Sequence, residues 1–387
     1  MDRMIRLTLT LGALIFAPFA AAAFETRATS AFVIDHTTGT VLLAKNADQP
    51  LPPASMSKLM TLYMAFEALQ DGRLSMEDEL RVSQQAMDYG GSTLFLRAGE
   101  RVSVRDLIRG IIVLSGNDAC VVIAEALSPD GTEAGFARMM TRRAAQLGMT
   151  QSRFANSNGW PQAGHEMSMR DLAILADRLI TDFPQHYALF AEKEFLFDSN
   201  ESSNRFNRNP LLGLGIGADG LKTGHTREAG YSLVGSAKQG ARRVIFVVSG
   251  LQSAAARAQE SEALVNWAFR HFATRSVAAA GERIAVANVW MGTDARVGLV
   301  PAEDLKVLFP VQADKTLNAE IVYKGPLRAP ISAGDQVAEL VLNPEGLPET
   351  RLPLVAESDV AEGGFLSRVS TVARILATRL IDAFEAS

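Results

Sequence analysis

Residues 51–60 read Leu-Pro-Pro-Ala-Ser-Met-Ser-Lys-Leu-Met, and they lead into a nearly continuous apolar run that extends to Leu69. Two prolines suit the first turn of a helix and Asp71-Gly72 suits its end, so the run predicts a helix that is buried on all sides. Ser55 and Lys58 lie three residues apart, which puts both side chains on one helix face. Because burial favours the neutral form of a lysine, Lys58 is predicted to take a proton from Ser55.

Two further motifs follow this helix. A Ser-x-x-Lys sequence alone occurs about once by chance in a chain of this length. Here it is followed, in order, by Ser115-Gly116-Asn117 and Lys222-Thr223-Gly224, and Lys-Thr-Gly alone is expected in about one chain in ten. Such a trio is the signature of penicillin-binding proteins and class A β-lactamases. From about Thr29 to its C-terminal helix, the chain resembles the serine D-alanyl-D-alanine carboxypeptidases, the low-molecular-mass penicillin-binding proteins.

The resemblance implies a set of catalytic residues. Ser55 is the nucleophile that forms an acyl-enzyme, Lys58 is its base, and Ser115 relays a proton to the leaving nitrogen. The family stabilises the oxyanion with two backbone amides, which by position are those of Ser55 and His225. No Gly-x-Ser-x-Gly pattern accompanies His225, so its imidazole is predicted to be structural rather than part of a Ser-His-Asp triad.

The same resemblance implies a set of substrate-binding residues. Asn117 is expected to bond the substrate backbone, while Lys222 carries a positive charge near the terminal carboxylate and Thr223 places a hydroxyl beside it. Arg208, in the segment Asn-Arg-Asn-Pro-Leu-Leu of residues 207–212, matches a family segment with an arginine near that carboxylate. A plain surface arginine is the alternative interpretation.

Composition argues against several other classes of function. The net charge of −5 and the lack of basic runs give no reason to propose a nucleic-acid partner. No metal and no cofactor are expected, because the histidines are scattered without metal-ligand spacing. The histidines other than His225 are His36, His165, His186 and His271.

Four segments are predicted along the chain. Residues 1–23 have two arginines, a short apolar run and then Ala20-Ala-Ala-Ala23, which is typical of a signal peptide cleaved after Ala23. Residues 24–272 form the catalytic domain, residues 273–362 form a β-rich domain, and residues 363–387 form an amphipathic helix.

The fold class is predicted to be α+β. Residues 31–34 and 41–44 suggest a strand hairpin, apolar helices follow, and strands at residues 231–236 and 244–248 precede a last helix over residues 255–272. The resemblance implies an αβα sandwich of the DD-peptidase and serine β-lactamase type. After Phe272, short strand-like runs between glycines and prolines predict a small all-β sandwich.

The C-terminal helix is predicted to lie on a membrane surface. Leu376, Leu380 and Phe384 belong to an apolar stripe, and Arg368 and Arg374 lie off it, which suits an interface with anionic headgroups. Docking on its own protein or on a second copy is the alternative. With the family's anchoring at this end, the expected location is the periplasmic face of the cytoplasmic (inner) membrane, as a peripheral protein.

The resemblance implies a peptidoglycan stem peptide ending in D-Ala-D-Ala as the substrate, with β-lactam antibiotics as covalent inhibitors. A β-lactamase is the first alternative, but Glu166-Met-Ser-Met-Arg170 does not match the Glu-x-x-Leu-Asn of class A enzymes. A D,D-endopeptidase is the second, although such relatives tend to lack the β domain and the terminal helix. A non-catalytic cell-wall-binding paralogue is the third, and it is disfavoured because both Ser55 and Lys58 are present.

Overall fold

The computed structural model describes residues 3–9, 24–197, 205–312, 319–344 and 346–364. The chain divides into two compact units, one of residues 24–270 and one of residues 271–387 together with residues 1–23. The predicted C-terminal helix lies outside the described residues from residue 365 onward. No helix in the described ranges is long and apolar enough to cross a bilayer.

A five-stranded antiparallel sheet, a two-stranded antiparallel sheet and their helices make up the unit of residues 24–270. In chain order, after β1 (Arg3–Leu9) of the other unit, its elements are β2 (Ser30–Asp35), β3 (Thr40–Lys45), a 3-10 helix (Ala54–Ser57), α1 (Lys58–Gln70), β4 (Glu79–Arg81), α2 (Gln84–Met87), β5 (Arg101–Ser103), α3 (Val104–Arg109), a π-helical turn (Gly110–Leu114), α4 (Asn117–Leu127), α5 (Glu133–Gln146), α6 (Met169–Asp182), α7 (Pro184–Tyr187), a second 3-10 helix (Ala188–Ala191), β6 (Ala218–Thr226), β7 (Gly230–Gln239), β8 (Arg242–Leu251) and α8 (Ala254–His271). The larger sheet has the order β3-β2-β8-β7-β6, so β6 is an edge strand, and β4 pairs with β5.

Helix α1 forms the centre of the core. All of its residues from Lys58 to Phe66 are buried, as the nearly continuous apolar run predicts. Phe66 contacts Phe183 and Phe190, with ring centroids 5.7 and 6.3 Å away. Because a helix apolar on every side can only be accommodated inside the protein, α1 holds its first turn, and with it the first motif, in a fixed place.

Two ion pairs, one buried and one partly buried, hold the strands of this sheet in place. Asp35 of β2 is fully buried and pairs with Arg242 of β8. Asp219 of β6 pairs with Arg243 of β8 at 2.7 Å and accepts from the Tyr187 hydroxyl at 3.0 Å. Since Asp219 precedes the third motif by three residues, this network sets the position of the strand that carries the motif.

The second unit is rich in β-structure, and the predicted α+β fold class with a following β-rich domain is confirmed. Besides β1, its strands are β9 (Phe272–Ala278), β10 (Ala285–Trp290), β11 (Arg296–Val300), β12 (Leu305–Pro310), β13 (Ala319–Gly325), β14 (Leu327–Arg328), β15 (Gln336–Leu342) and β16 (Thr350–Ala356). They form a seven-stranded sheet of order β1-β13-β15-β16-β11-β10-β14 and a separate pair, β9 with β12. Strand β1 lies within the predicted signal peptide and pairs with β13.

Candidate active site

The 3-10 helix before α1 places Ser55 beside Lys58. In a 3-10 turn, residues three apart lie almost directly above one another. The Nζ atom of Lys58 accordingly donates to Oγ of Ser55 at 2.9 Å. The turn begins at Ala54, which adopts a positive φ of 50°, so the chain bends sharply just before the serine.

Two further oxygens surround Nζ of Lys58. It donates to Oδ1 of Asn117 at 2.7 Å and to the backbone oxygen of Asn158 at 2.6 Å. Burial lowers the pKa of Lys58 to about 8. Amide oxygens can only accept hydrogen bonds. When the Lys58 ammonium loses one proton, its two remaining N–H groups therefore continue to donate to Asn117 and Asn158. The lone pair of the neutral amine then faces the hydroxyl of Ser55, which is the arrangement that a general base requires.

The second motif lies in a strained turn between two helices. Ser115 has a φ of 65°, in the left-handed region, and it links the π-helical turn to α4, which starts at Asn117. The side-chain Nδ2 atom of Asn117 donates to the backbone oxygen of Gly90 at 2.8 Å. The Oδ1 atom of the same side chain therefore faces Lys58. Oγ of Ser115 is buried without a hydrogen-bond partner among the described residues, and it is therefore available to a group entering the site.

The third motif lies on the edge strand β6, close to the nucleophile. A Cβ atom at Gly224 would lie 3.0 Å from the Pro53 backbone oxygen and 3.1 Å from Cγ of Met56, so the strand touches the turn that carries Ser55. Lys222 and Thr223 are both buried at this point. The structure thus brings all three motifs to one place.

His225 lies at the rim of the site. Its ring stacks on Tyr231 with centroids 3.8 Å apart, and its Nδ1 atom contacts the backbone oxygen of Gly230 at 3.3 Å. These contacts tie the imidazole to the neighbouring strand rather than to Ser55. They agree with a structural role for the side chain.

The site concentrates positive charge. Burial is the main cause that lowers the pKa of Lys222 well below its usual value, and the charges of Lys58 and Arg208 lower it further. Burial also lowers the pKa of Arg208, whose Nη1 donates to Oγ of Ser92 at 2.7 Å. Because burial and the nearby cations both disfavour the ammonium form of Lys222, an incoming carboxylate would favour its charged form.

Sequence patterns did not reveal the turn that supplies the Asn158 carbonyl. Gly159 has a φ of 84°, and a Cβ there would lie 1.9 Å from the backbone oxygen of Ala54, so the turn is pressed against the nucleophile's helix. On its other side, the buried Glu133 accepts from the Ser157 hydroxyl at 2.6 Å. The only sequence signal is Asn-Ser-Asn-Gly at residues 156–159, which predicts a turn and no function.

A metal centre finds no support in the part of the chain that the structure describes. No cluster of three or more histidine, cysteine, aspartate or glutamate side chains could hold an ion in those ranges.

Comparison with known proteins agrees with this geometry. The model of the D-alanyl-D-alanine carboxypeptidase family matches residues 17–253, and that of the penicillin-binding protein 5 C-terminal domain matches residues 272–362. D-alanyl-D-alanine carboxypeptidase DacC of Escherichia coli is 36% identical over 369 residues, which cover 92% of this chain and 91% of that protein.

Solved structures show the same similarity. Penicillin-binding protein 5 from Haemophilus influenzae superposes with a TM-score of 0.77 at 32% identity, over 90% of this chain and 100% of that chain. Penicillin-binding protein D2 from Listeria monocytogenes in its ampicillin-bound form has a TM-score of 0.56 at 32% identity, over 62% of this chain and 97% of that chain. With its three motifs assembled around one serine, this chain belongs to the D-alanyl-D-alanine carboxypeptidase family of serine peptidases.

Proposed function

We propose that this enzyme removes the terminal D-alanine from peptidoglycan stem pentapeptides through an acyl-enzyme on Ser55, and that penicillins acylate the same serine. One observation carries the proposal. Nζ of Lys58 contacts Oγ of Ser55 and is held there by two oxygens that can only accept. This arrangement fits a serine hydrolase that uses lysine as its base.

Acylation follows from these contacts. Oγ of Ser55 attacks the carbonyl carbon of the penultimate residue while its proton passes to the neutral Lys58 amine. The negative charge on the carbonyl oxygen is stabilised by the backbone amides of Ser55 and His225. The carbon–nitrogen bond then breaks, and the Lys58 proton reaches the leaving amine through the Ser115 hydroxyl. Ser115 suits this step because its Oγ is buried without a partner among the described residues.

Deacylation uses the same groups in the opposite direction. A water molecule takes the place of the departed D-alanine, loses its proton to Lys58 and attacks the ester carbon. The Ser55 oxygen leaves and recovers a proton from Lys58, which regenerates the free enzyme.

The positive charge on the edge strand provides the basis for recognising a free C-terminus. Lys222 and Thr223 lie on β6, and Arg208 adds a second cation whose charge is felt at Lys222. The positive charges of Lys222 and Arg208 repel each other. A peptide carboxylate that binds beside them is attracted to both. Because β6 is an edge strand, an extended peptide can also pair with it, while Asn117 bonds the substrate backbone.

We also propose that the enzyme is exported and held at the periplasmic face of the inner membrane. Two sequence features support this location: the signal-peptide pattern of residues 1–23 and the amphipathic pattern that follows Gly363-Gly364.

The function is tested by incubating the purified enzyme with a pentapeptide ending in D-Ala-D-Ala and measuring the products by mass spectrometry. The expected product has lost one alanine residue. A pentapeptide left intact while cross-linked stem dimers are cut would instead identify an endopeptidase. Rapid, repeated hydrolysis of penicillin without any action on the pentapeptide would identify a β-lactamase.

A further inference from the structure

His165 is a buried histidine to which the proposed reaction gives no part. Its side chain is 5% exposed. Its Nε2 atom contacts Oγ of Ser57 at 2.7 Å. Its Nδ1 atom accepts from the backbone amides of Ala155 at 3.2 Å and Asn156 at 3.4 Å. One imidazole therefore connects the catalytic 3-10 helix to the loop of residues 155–159.

These contacts define the protonation state of the ring. Because Nδ1 accepts from two amides, its lone pair is occupied there, and the single proton lies on Nε2 and is donated to Ser57. Burial lowers the pKa of His165 to about 4, with a further contribution from the charge of Lys58. Glu228 lines the same open cavity of about 330 Å³ as His165, and Glu133 bonds to Ser157 of the loop. The ring is thus neutral at neutral pH.

The loop tied by His165 carries the acceptor of the catalytic lysine. Oδ1 of Asn156 accepts from the backbone amides of Gly159 at 2.8 Å and of Asn158 at 3.3 Å. The backbone oxygen of Asn158 in turn accepts from Nζ of Lys58. A continuous chain of hydrogen bonds therefore runs from His165 through the turn to the base.

The opposite side of the turn is held independently. Ser157 donates to Glu133 through its backbone amide at 3.0 Å and its hydroxyl at 2.6 Å, and its backbone oxygen accepts from Thr61 at 2.5 Å. Loss of His165 would therefore loosen one side of the turn without releasing it, so its effect should be on position rather than on folding.

We infer that His165 is a positioning residue for the general base, which keeps the Asn158 carbonyl against Lys58 and so directs the lysine lone pair at Ser55. Without His165 the carbonyl moves away and the amine can rotate. The inference rests on the proposed role of Lys58 and concerns its geometry.

The test measures the second-order rate of acylation by a fluorescent penicillin between pH 5 and pH 10. His165→Ala should acylate about 10- to 100-fold more slowly than the wild type, as expected for a small displacement of a catalytic group. The midpoint of its pH profile should also fall below that of the wild type. The Asn158 carbonyl stabilises the Lys58 ammonium more than the neutral amine, so its withdrawal lowers the pKa of Lys58. A purely structural role would not move the midpoint.

Three further variants make the result specific. His165→Gln keeps an N–H donor at the end of the side chain and should recover part of the rate. His186→Ala removes a histidine that stacks on Phe66, away from the site, and should acylate like the wild type. Ser57→Ala should lower the midpoint in the same direction, and it provides the answer if His165→Ala does not fold.

A wild-type rate and midpoint in folded His165→Ala would overturn the inference. So would an unchanged midpoint in Ser57→Ala, or a loss of rate that disappears when the rate is expressed per folded molecule. Failure of the wild type itself to be acylated would contradict the proposed function instead, so the two failures can be told apart.

Discussion

Nζ of Lys58 has three hydrogen-bond partners among the described residues, the oxygens of Ser55, Asn117 and Asn158. None of them is a carboxylate. Burial lowers the pKa of this lysine to about 8, and the charges of Asp118 and Glu133 oppose this shift only in part. A pKa near the working pH gives an appreciable neutral fraction together with good basicity.

The first prediction concerns this titration. Lys58 acts as a base only when neutral, so the rate of acylation by penicillin should rise with pH and level off above a midpoint near pH 8. Lys58→Arg keeps the positive charge but cannot lose its proton, and it should acylate roughly 100- to 10,000-fold more slowly. Stopped-flow measurement of labelling gives both results. Normal acylation by the arginine variant would show that the base is another group.

The second prediction concerns Lys222. A charge-assisted contact of this kind contributes about 1.5–3 kcal/mol, so Lys222→Ala should lose roughly 10- to 100-fold in kcat/KM on a peptide with a free C-terminal carboxylate. Amidation of that terminus should harm the wild type far more than the variant. Equal losses in both proteins would remove Lys222 from carboxylate recognition.

At the scale of elements, the site depends on close contact between a turn and a helix. Gly159 has a φ of 84°, and its Cβ position lies 1.9 Å from the Ala54 backbone oxygen. Gly148 has a φ of 85°, and among the described residues no atom beyond its chain neighbours lies within 4 Å of its Cβ position. A substitution at Gly148 therefore tests backbone strain alone, whereas a substitution at Gly159 tests strain together with a steric clash.

The third prediction compares these two positions. Gly148→Ala should lose about 1–2 kcal/mol of stability from left-handed strain alone and should acylate like the wild type. Gly159→Ala carries the same strain and also forces the turn away from Ser55, so it should lose more stability and acylate at least about tenfold more slowly. Urea unfolding and penicillin labelling measure the two effects. Equal behaviour of both variants would mean that the contact does not position the site.

Sequence patterns identify those elements whose signal is local. The nearly continuous apolar run before Asp71 suffices to predict the buried helix α1, and the first motif suffices to predict the contact between Ser55 and Lys58. Other strands carry a weak local signal: Pro353 interrupts the pattern of β16, and β9 continues directly from α8 without a turn signal.

The supporting residues of the site could not be predicted in the same way. The Asn158 carbonyl is a backbone group that any residue could supply, and only its place in the fold gives it a role. His165 lies 108 residues from Ser57, so no sequence spacing indicates their contact. Such residues act through tertiary contacts, which single-sequence patterns do not encode.

At the scale of the whole molecule, the fourth prediction concerns location. The chain truncated after Glu362 lacks the amphipathic segment and should be recovered in the soluble fraction, with unchanged activity on small peptides. Leu376→Asp in the full chain disrupts the apolar stripe and should also weaken sedimentation with membranes. A truncated enzyme that folds and still sediments with membranes would show that another part of the chain is the anchor.

We propose that Ser55 forms the covalent intermediate, and mass spectrometry of the trapped enzyme identifies the acylated residue. The enzyme is trapped with penicillin, digested, and the modified peptide is sequenced. The adduct should lie on Ser55. Ser55→Ala should carry no adduct while remaining folded, whereas Ser57→Ala, the matched control two residues away, should still be labelled, although more slowly. An adduct on any other residue, or normal labelling of folded Ser55→Ala, would contradict the account.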